Sequence, residues 1–251
     1  MFSVEDRDRA RDHVLGLAET DRRVVAAAVV GGLADGAGDR WSDLDLTFAV
    51  EDGVPVVDVL DDWTRAVADG LDAVHLFDLP AGAAIYRVFL LPGCLQVDLS
   101  FAPASAFGAR GPRFRLLFGT SVELPQAPAT SADELFGLAV HHALRARFSI
   151  ERGRNWQAEF WISGVRDQAL LLACRRRGLD GSHGRRFDEL PAEVLAACEA
   201  ALVRSLERGE LQRALASAIS VLQEESEEAA GLAAAVAPQL QALSSGSQPS
   251  R

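Results

Sequence analysis

The segment from residue 24 to residue 50 constrains the fold of this chain more than any other. Seven consecutive apolar residues, Val24 to Val30, have no polar face and end at Gly31-Gly32, which predicts a buried strand that leaves the core at a glycine turn. After ten more residues, Asp43 begins an alternation of polar and apolar side chains that predicts a second strand. Because side chains two apart in a strand point to one face, Asp43 and Asp45 are expected side by side.

Two neighbouring carboxylates repel each other unless a cation lies between them. Oxygen ligands alone favour Mg²⁺ or Mn²⁺ over zinc. A third carboxylate, Asp98, lies within another apolar segment, and a neighbouring strand could bring it beside the pair. The backbone N–H groups of a glycine turn are able to approach phosphate oxygens. The alternative is that Asp43 is a turn residue, Asp45 is solvated and Asp98 lies on an edge strand.

Periodicity divides the rest of the chain into a sheet half and a helical half, which predicts an α+β protein. We expect a mixed β-sheet with flanking helices over residues 1–128, a C-terminal α-helical bundle over 131–243 and a disordered tail over 244–251. The predicted strands are 24–30, 44–50, 73–79, 84–91, 95–101 and 114–118. The predicted helices are 4–20, 55–69, 132–152, 155–177 and 191–207, with one or two more between 209 and 243.

Composition excludes several classes of function. All 25 basic residues are arginine, so Schiff-base, pyridoxal phosphate and P-loop lysine chemistry is excluded. The net charge of −11 argues against nonspecific nucleic-acid binding and favours metal ions or cationic partners. Three scattered cysteines predict neither a disulfide framework nor a zinc site. The absence of an apolar leader or of a run of about 18 apolar residues indicates a cytoplasmic protein without a membrane span.

The glycine pair, the ten-residue interval, the Asp-x-Asp pair and the later third acid together resemble the nucleotidyltransferase superfamily typified by DNA polymerase beta. The layout of the whole chain is similar to the two-domain aminoglycoside and lincosamide nucleotidyltransferases. This resemblance implies a catalytic sheet domain followed by a helical domain that binds substrate or nucleotide. The sequence departs from the family signature at Gly32, where a serine is usual, whereas Ser42 matches the common Ser-Asp-x-Asp form.

The resemblance also implies the roles of individual residues. Asp43 and Asp45 would bind the metal ions, Mg²⁺ or Mn²⁺, that bridge the triphosphate of ATP. Asp98 would be a third metal ligand or the base that takes the acceptor proton. Gly31, Gly32 and Ser42 would contact the nucleotide.

The helical half offers further candidates. Glu159, Ser163 and Arg166 fall on one stripe of the helix predicted over 155–177, and Arg154 precedes that helix. Arginine binds phosphate oxygens bidentately, so Arg166 and Arg154 are candidate nucleotide ligands, and Glu159 is a candidate contact for a cationic acceptor. The alternative is that these residues form ordinary ion pairs. Trp156 is expected in the helical core.

The function predicted from these features is the transfer of AMP from ATP to a hydroxyl of a small molecule, an aminoglycoside or a lincosamide antibiotic, with release of pyrophosphate. Two alternatives stay open. One is a protein-modifying or regulatory nucleotidyltransferase of the toxin–antitoxin type, since the spacing of Arg177 and His183 is similar to a motif of the partner toxins. The other is a protein that only binds nucleotide, against which the three aspartates count.

Overall fold

The computed structural model describes residues 1–36, 38–125 and 128–245. The chain divides into two compact units, Met1–Pro128 and Ala129–Arg251. The tail predicted to be disordered lies outside the described residues from Gly246 onward. The α+β class is confirmed, with a six-stranded mixed sheet and flanking helices followed by a helical region.

The described part of the first unit contains two α-helices and six strands. Its strand order across the sheet is β3-β4-β5-β2-β1-β6, in which β2 and β5 pair in parallel and the other neighbours are antiparallel. The elements are α1 (Val4–Thr20), β1 (Val24–Val30), β2 (Leu44–Val50), α2 (Val56–Leu71), β3 (Val74–Ala81), β4 (Ala84–Leu91), β5 (Leu95–Pro103) and β6 (Phe114–Phe118).

One face of this sheet forms the main core of the unit with α1 and α2. Leu46 and Phe48 of β2 and Leu99 of β5 are fully buried there, against apolar residues of both helices. Alternation along β2 and β5 therefore turns the aspartates to the opposite face. On that opposite face a smaller cluster of alanines packs against Phe107 at the far end of the strands.

The second unit is helical and has its own core, built largely from alanine and leucine. Ser131 starts its first helix with a capping box that Glu134 completes. The helices are α3 (Ala132–Glu151), α4 (Asn155–Arg176), α5 (Ala192–Ala200), α6 (Arg208–Glu224) and α7 (Ala230–Ser244). Within the described parts of the chain, no helix is both long and apolar enough to cross a membrane.

Two expectations about the helical half are wrong. The helix predicted over 191–207 ends at Ala200, because Arg213 of α6 donates hydrogen bonds to the carbonyls of Ala200 and Leu202 and so satisfies the chain where it leaves the helix. Trp156 is 75% exposed at the start of α4 and is not a core residue.

Candidate active site

The three aspartates predicted from the sequence come together on one face of the sheet. The parallel register of β2 and β5 places Asp45 directly beside Asp98, and Asp43 lies on the same face, immediately before β2. Each carboxylate offers an oxygen within 4.8 Å of oxygens from the other two. Asp43 is exposed, whereas Asp45 and Asp98 are half-buried. The structure thus brings three carboxylate oxygens to one place on this face of the sheet.

The glycine turn lies against this cluster. Gly31 begins a 3-10 turn after β1 and has a φ of 71°, a conformation that favours glycine. A Cβ atom at this position would lie 2.4 Å from Oδ2 of Asp45, so only glycine fits without moving that carboxylate. A Cβ atom on Gly32 would meet only ordinary contacts, the nearest at 3.8 Å. The proposed phosphate contacts of the turn remain predictions.

The loop that precedes Asp43 is held by its own side chains and by Arg7. Ser42 Oγ accepts a hydrogen bond from the backbone N–H of Asp39 at 2.9 Å and donates one to the Asp39 carboxylate at 3.2 Å. Arg7 Nη1 donates to the carbonyls of Asp39 and Ser42 at 2.6 and 2.9 Å. Ser42 therefore has a structural role in the loop. Its predicted contact with the nucleotide stays a prediction.

Arg7 was not among the residues that sequence reasoning singled out. It is 6% exposed and lies on the buried stripe of α1 with Ala10 and Val14. A charged residue on the apolar stripe of an amphipathic helix is a readable signal, because a buried guanidinium needs partners for its N–H groups. Its partners here are the carbonyls just before Asp43.

Gln96 is a second residue that the sequence did not indicate. Its Nε2 lies 3.0 and 3.1 Å from the two carboxylate oxygens of Asp98, two positions along the same face of β5. Burial raises the pKa of Asp98 above its ordinary value, the Gln96 hydrogen bonds oppose this rise, and the charge of Asp43 adds to it. The Asp98 carboxylate is thus both oriented and destabilised in its charged form.

The donor set fits a hard divalent cation. All three donors are carboxylate oxygens, the preferred ligands of Mg²⁺ and Mn²⁺, and no thiol or imidazole belongs to this described cluster. Burial raises the pKa of Asp98 and the charge of Asp43 adds to the rise, and a cation between the carboxylates would offset both effects. Asp43, Asp45 and Asp98 are accordingly the residues that would hold the metal.

The residues predicted in the helical unit lie on or beside α4. Ser163 Oγ donates to Glu159 at 2.8 Å, one turn apart, and Arg166 Nη2 lies 2.9 Å from the carboxylate of its neighbour Asp167. Arg154 is exposed at the residue before α4 begins. The roles of Glu159, Arg166 and Arg154 toward a ligand stay predictions.

The pair that suggested a toxin-like motif has other surroundings. Arg177 Nη1 lies 2.7 Å from the buried Glu225, and His183 is exposed in a turn with a φ of 55°. These observations give Arg177 a structural ion pair in the helical unit.

No family model and no curated protein sequence matches the chain. Among solved structures, the chain is similar to an aminoglycoside 6-adenyltransferase from Bacillus subtilis, with 12% identity over 96% of this chain and 99% of that chain and a TM-score of 0.38. A likeness at this identity and score carries no argument about fold or activity, so both rest on the residues described above.

Proposed function

We propose that this protein is a divalent-metal-dependent nucleotidyltransferase that moves AMP from ATP to a hydroxyl group of a small molecule and releases pyrophosphate. The observation that carries the proposal is the convergence of Asp43, Asp45 and Asp98 within 4.8 Å beside a glycine turn. A pair of bound Mg²⁺ ions would supply charge neutralisation for the entering and leaving oxygens.

The residues of the chain divide the remaining work. Asp43 and Asp45 hold the metal site, and Gly31, by lacking a side chain, leaves the Asp45 carboxylate in place. The Gly31-Gly32 turn offers backbone N–H groups to phosphate oxygens. Asp98, oriented by Gln96, completes the metal site and also takes the proton of the acceptor hydroxyl.

The reaction balances as a single displacement. The acceptor oxygen forms a bond to the α-phosphorus while the bond from that phosphorus to the bridging oxygen breaks. Pyrophosphate leaves with the electron pair, and the hydroxyl proton passes to the Asp98 carboxylate. Positioning and charge neutralisation supply most of the rate enhancement in such transfers.

The test is pyrophosphate release from ATP and Mg²⁺ with a panel of hydroxyl-bearing acceptors that includes aminoglycosides and lincosamides. Asp43→Asn and Asp45→Asn should each lower the rate by at least about a hundredfold, a loss typical of removing a group that stabilises transition-state charge. Asp58→Asn is the matched control, because Asp58 is an exposed acid on the first turn of α2. Full activity in both site variants would contradict the proposal.

A further inference from the structure

The β3–β4 hairpin has charged side chains on the face that packs on α2 and apolar side chains on the exposed face. Its helix-facing side carries a charged pair, in which Arg87 Nη2 lies 2.7 Å from Asp78 and Arg87 Nη1 donates to Thr64 of α2 at 2.6 Å. The other side exposes large apolar groups, with Phe77 48% and Leu79 54% exposed. Large exposed apolar side chains behind a buried arginine are an exception to ordinary burial and are typical of binding surfaces.

The strand register places this apolar surface on the same face as the carboxylates. Phe77 pairs with Val88, Val88 with Asp98, and Asp98 with Asp45, so one row crosses four strands from the apolar edge to the metal ligands. Leu79 and Tyr86 form the next row. Since neighbouring strands lie about 4.8 Å apart, Phe77 is roughly 10 Å from Asp98.

This face of the hairpin carries no charge. The structure describes every residue of β3 and β4, and the side chains that share the face of Asp98 are all uncharged. They are Val74, Phe77, Leu79, Ala81, Ala84, Tyr86, Val88 and Leu90. Such a surface gives an apolar group a place to bury area and offers a polycation no partner.

The geometry of the proposed reaction indicates which ligand lies here. Gly31, at the end of β1, touches Asp45 from the side of the sheet opposite to β5. If pyrophosphate leaves over that glycine turn, in-line displacement requires the acceptor oxygen to enter from the other side, over β5. The body of the acceptor then extends over β4 and β3.

We propose, on the basis of the proposed function, that Phe77, Leu79 and Tyr86 form the acceptor subsite and select a hydroxyl compound with an apolar body and little positive charge. The net charge of −11 pointed toward a cationic acceptor. The surface that adjoins Asp98 points instead to an amphiphilic one. Phe77 and Leu79 are specificity-determining residues in this assignment, because they contact the unreactive part of the acceptor.

The test compares two probes by titration calorimetry on the full chain with Mg²⁺ and α,β-methylene-ATP. Lincomycin has one basic amine and an alkyl-substituted ring, whereas kanamycin is a polyamine without an apolar group. We expect wild type to bind lincomycin, and Phe77→Ser and Leu79→Ser each to weaken this binding about tenfold, as the loss of a buried apolar side chain predicts. Val57→Ser is the matched control, because Val57 is an equally exposed apolar residue on α2.

Three results would overturn the assignment: tighter binding of kanamycin than of lincomycin, no binding of either, or lincomycin binding that Phe77→Ser leaves unchanged. Light scattering adds a fourth, since a wild-type dimer that Phe77→Ser converts to a monomer would make this face an interface between copies. Binding of the ATP analogue with Mg²⁺ separates the two levels of the argument. If one of these four results occurs while wild type binds the analogue and Asp45→Asn does not, the acceptor subsite fails and the proposed function stands.

Discussion

Gly31 shows how closely a single position controls the candidate site. Its positive φ and its contact with Asp45 are separate demands on the same residue. Gly36 shares the first demand, with a φ of 79°, but a Cβ atom there would meet nothing within 4 Å. Substitutions at the two glycines therefore distinguish the effect of backbone strain from the effect of displacing the Asp45 carboxylate.

Gly31→Ala should lose nucleotidyl transfer, whereas Gly36→Ala should keep it. Both substitutions should lower the free energy of unfolding by about 1–2 kcal/mol, the cost of a left-handed conformation in a residue with a Cβ atom. Chemical denaturation measures the shared loss, and pyrophosphate release measures the difference. Equal activity of the two variants would show that the Gly31–Asp45 contact does not matter.

For single residues, the sequence predicts the three aspartates but not the two residues that orient or hold them, Gln96 and Arg7. Asp43 and Asp45 follow from the two-residue period of a strand, and Asp98 follows from its apolar surroundings. The registration of Asp45 against Asp98 depends on the pairing of β2 with β5, which lie far apart in the sequence. Gln96 belongs to no motif in the sequence, and its contact with Asp98 is evident only from the structure.

Among the elements, α1 stabilises the site from outside it. Its buried Arg7 donates hydrogen bonds to the carbonyls of Asp39 and Ser42, in the loop that precedes Asp43. The helix predicted over 4–20 therefore also holds the loop that leads to Asp43.

Arg7→Met keeps the apolar volume of the side chain and removes the donors. We expect faster amide exchange over residues 39–42 and at least about a tenfold loss of activity, because a loosened loop misplaces Asp43. Arg9→Met is the matched control, since Arg9 is an exposed arginine of the same helix that pairs with Asp6. Hydrogen exchange followed by mass spectrometry measures the protection of residues 39–42. Unchanged protection in both variants would show that the loop does not need Arg7.

Most elements could be predicted because their patterns are local. The period of α1, and the proline- and glycine-containing turns on both sides of β4, give bounds that the structure repeats at Val4–Thr20 and Ala84–Leu91. The end of α5 could not be read in this way, because it depends on Arg213 from a different helix. Tertiary hydrogen bonds of this kind leave no trace in the local sequence.

The whole molecule consists of two units that each have a separate hydrophobic core. In the first unit, Asp21 accepts hydrogen bonds from Arg23 and from Trp63 Nε1 at 2.9 Å, and these lower the pKa of Asp21 to about 2. In the second unit, the buried Glu225 accepts a hydrogen bond from Arg177 at 2.7 Å. A substitution of either carboxylate therefore tests the stability of one unit.

We predict that calorimetry resolves two unfolding transitions. Asp21→Asn should lower the free energy of unfolding of the first unit, and Glu225→Gln that of the second, each by about 2 kcal/mol at pH 7. The effect of Asp21→Asn should vanish in acid. A lowered pKa contributes stability above the ordinary value of 3.8, and this contribution is lost as the pH falls through about 2. A single transition that both variants shift equally would contradict the independence of the two cores.

The central claim is that Asp43, Asp45 and Asp98 together hold a divalent cation for nucleotidyl transfer, and Mn²⁺ binding tests it without knowledge of the acceptor. Electron paramagnetic resonance of free Mn²⁺, titrated with protein and α,β-methylene-ATP, would measure the affinity in wild type and variants. Wild type and Asp58→Asn should bind Mn²⁺ alike, while Asp45→Asn and Asp98→Asn should bind at least about tenfold more weakly. Equal affinity in all four proteins would contradict the account.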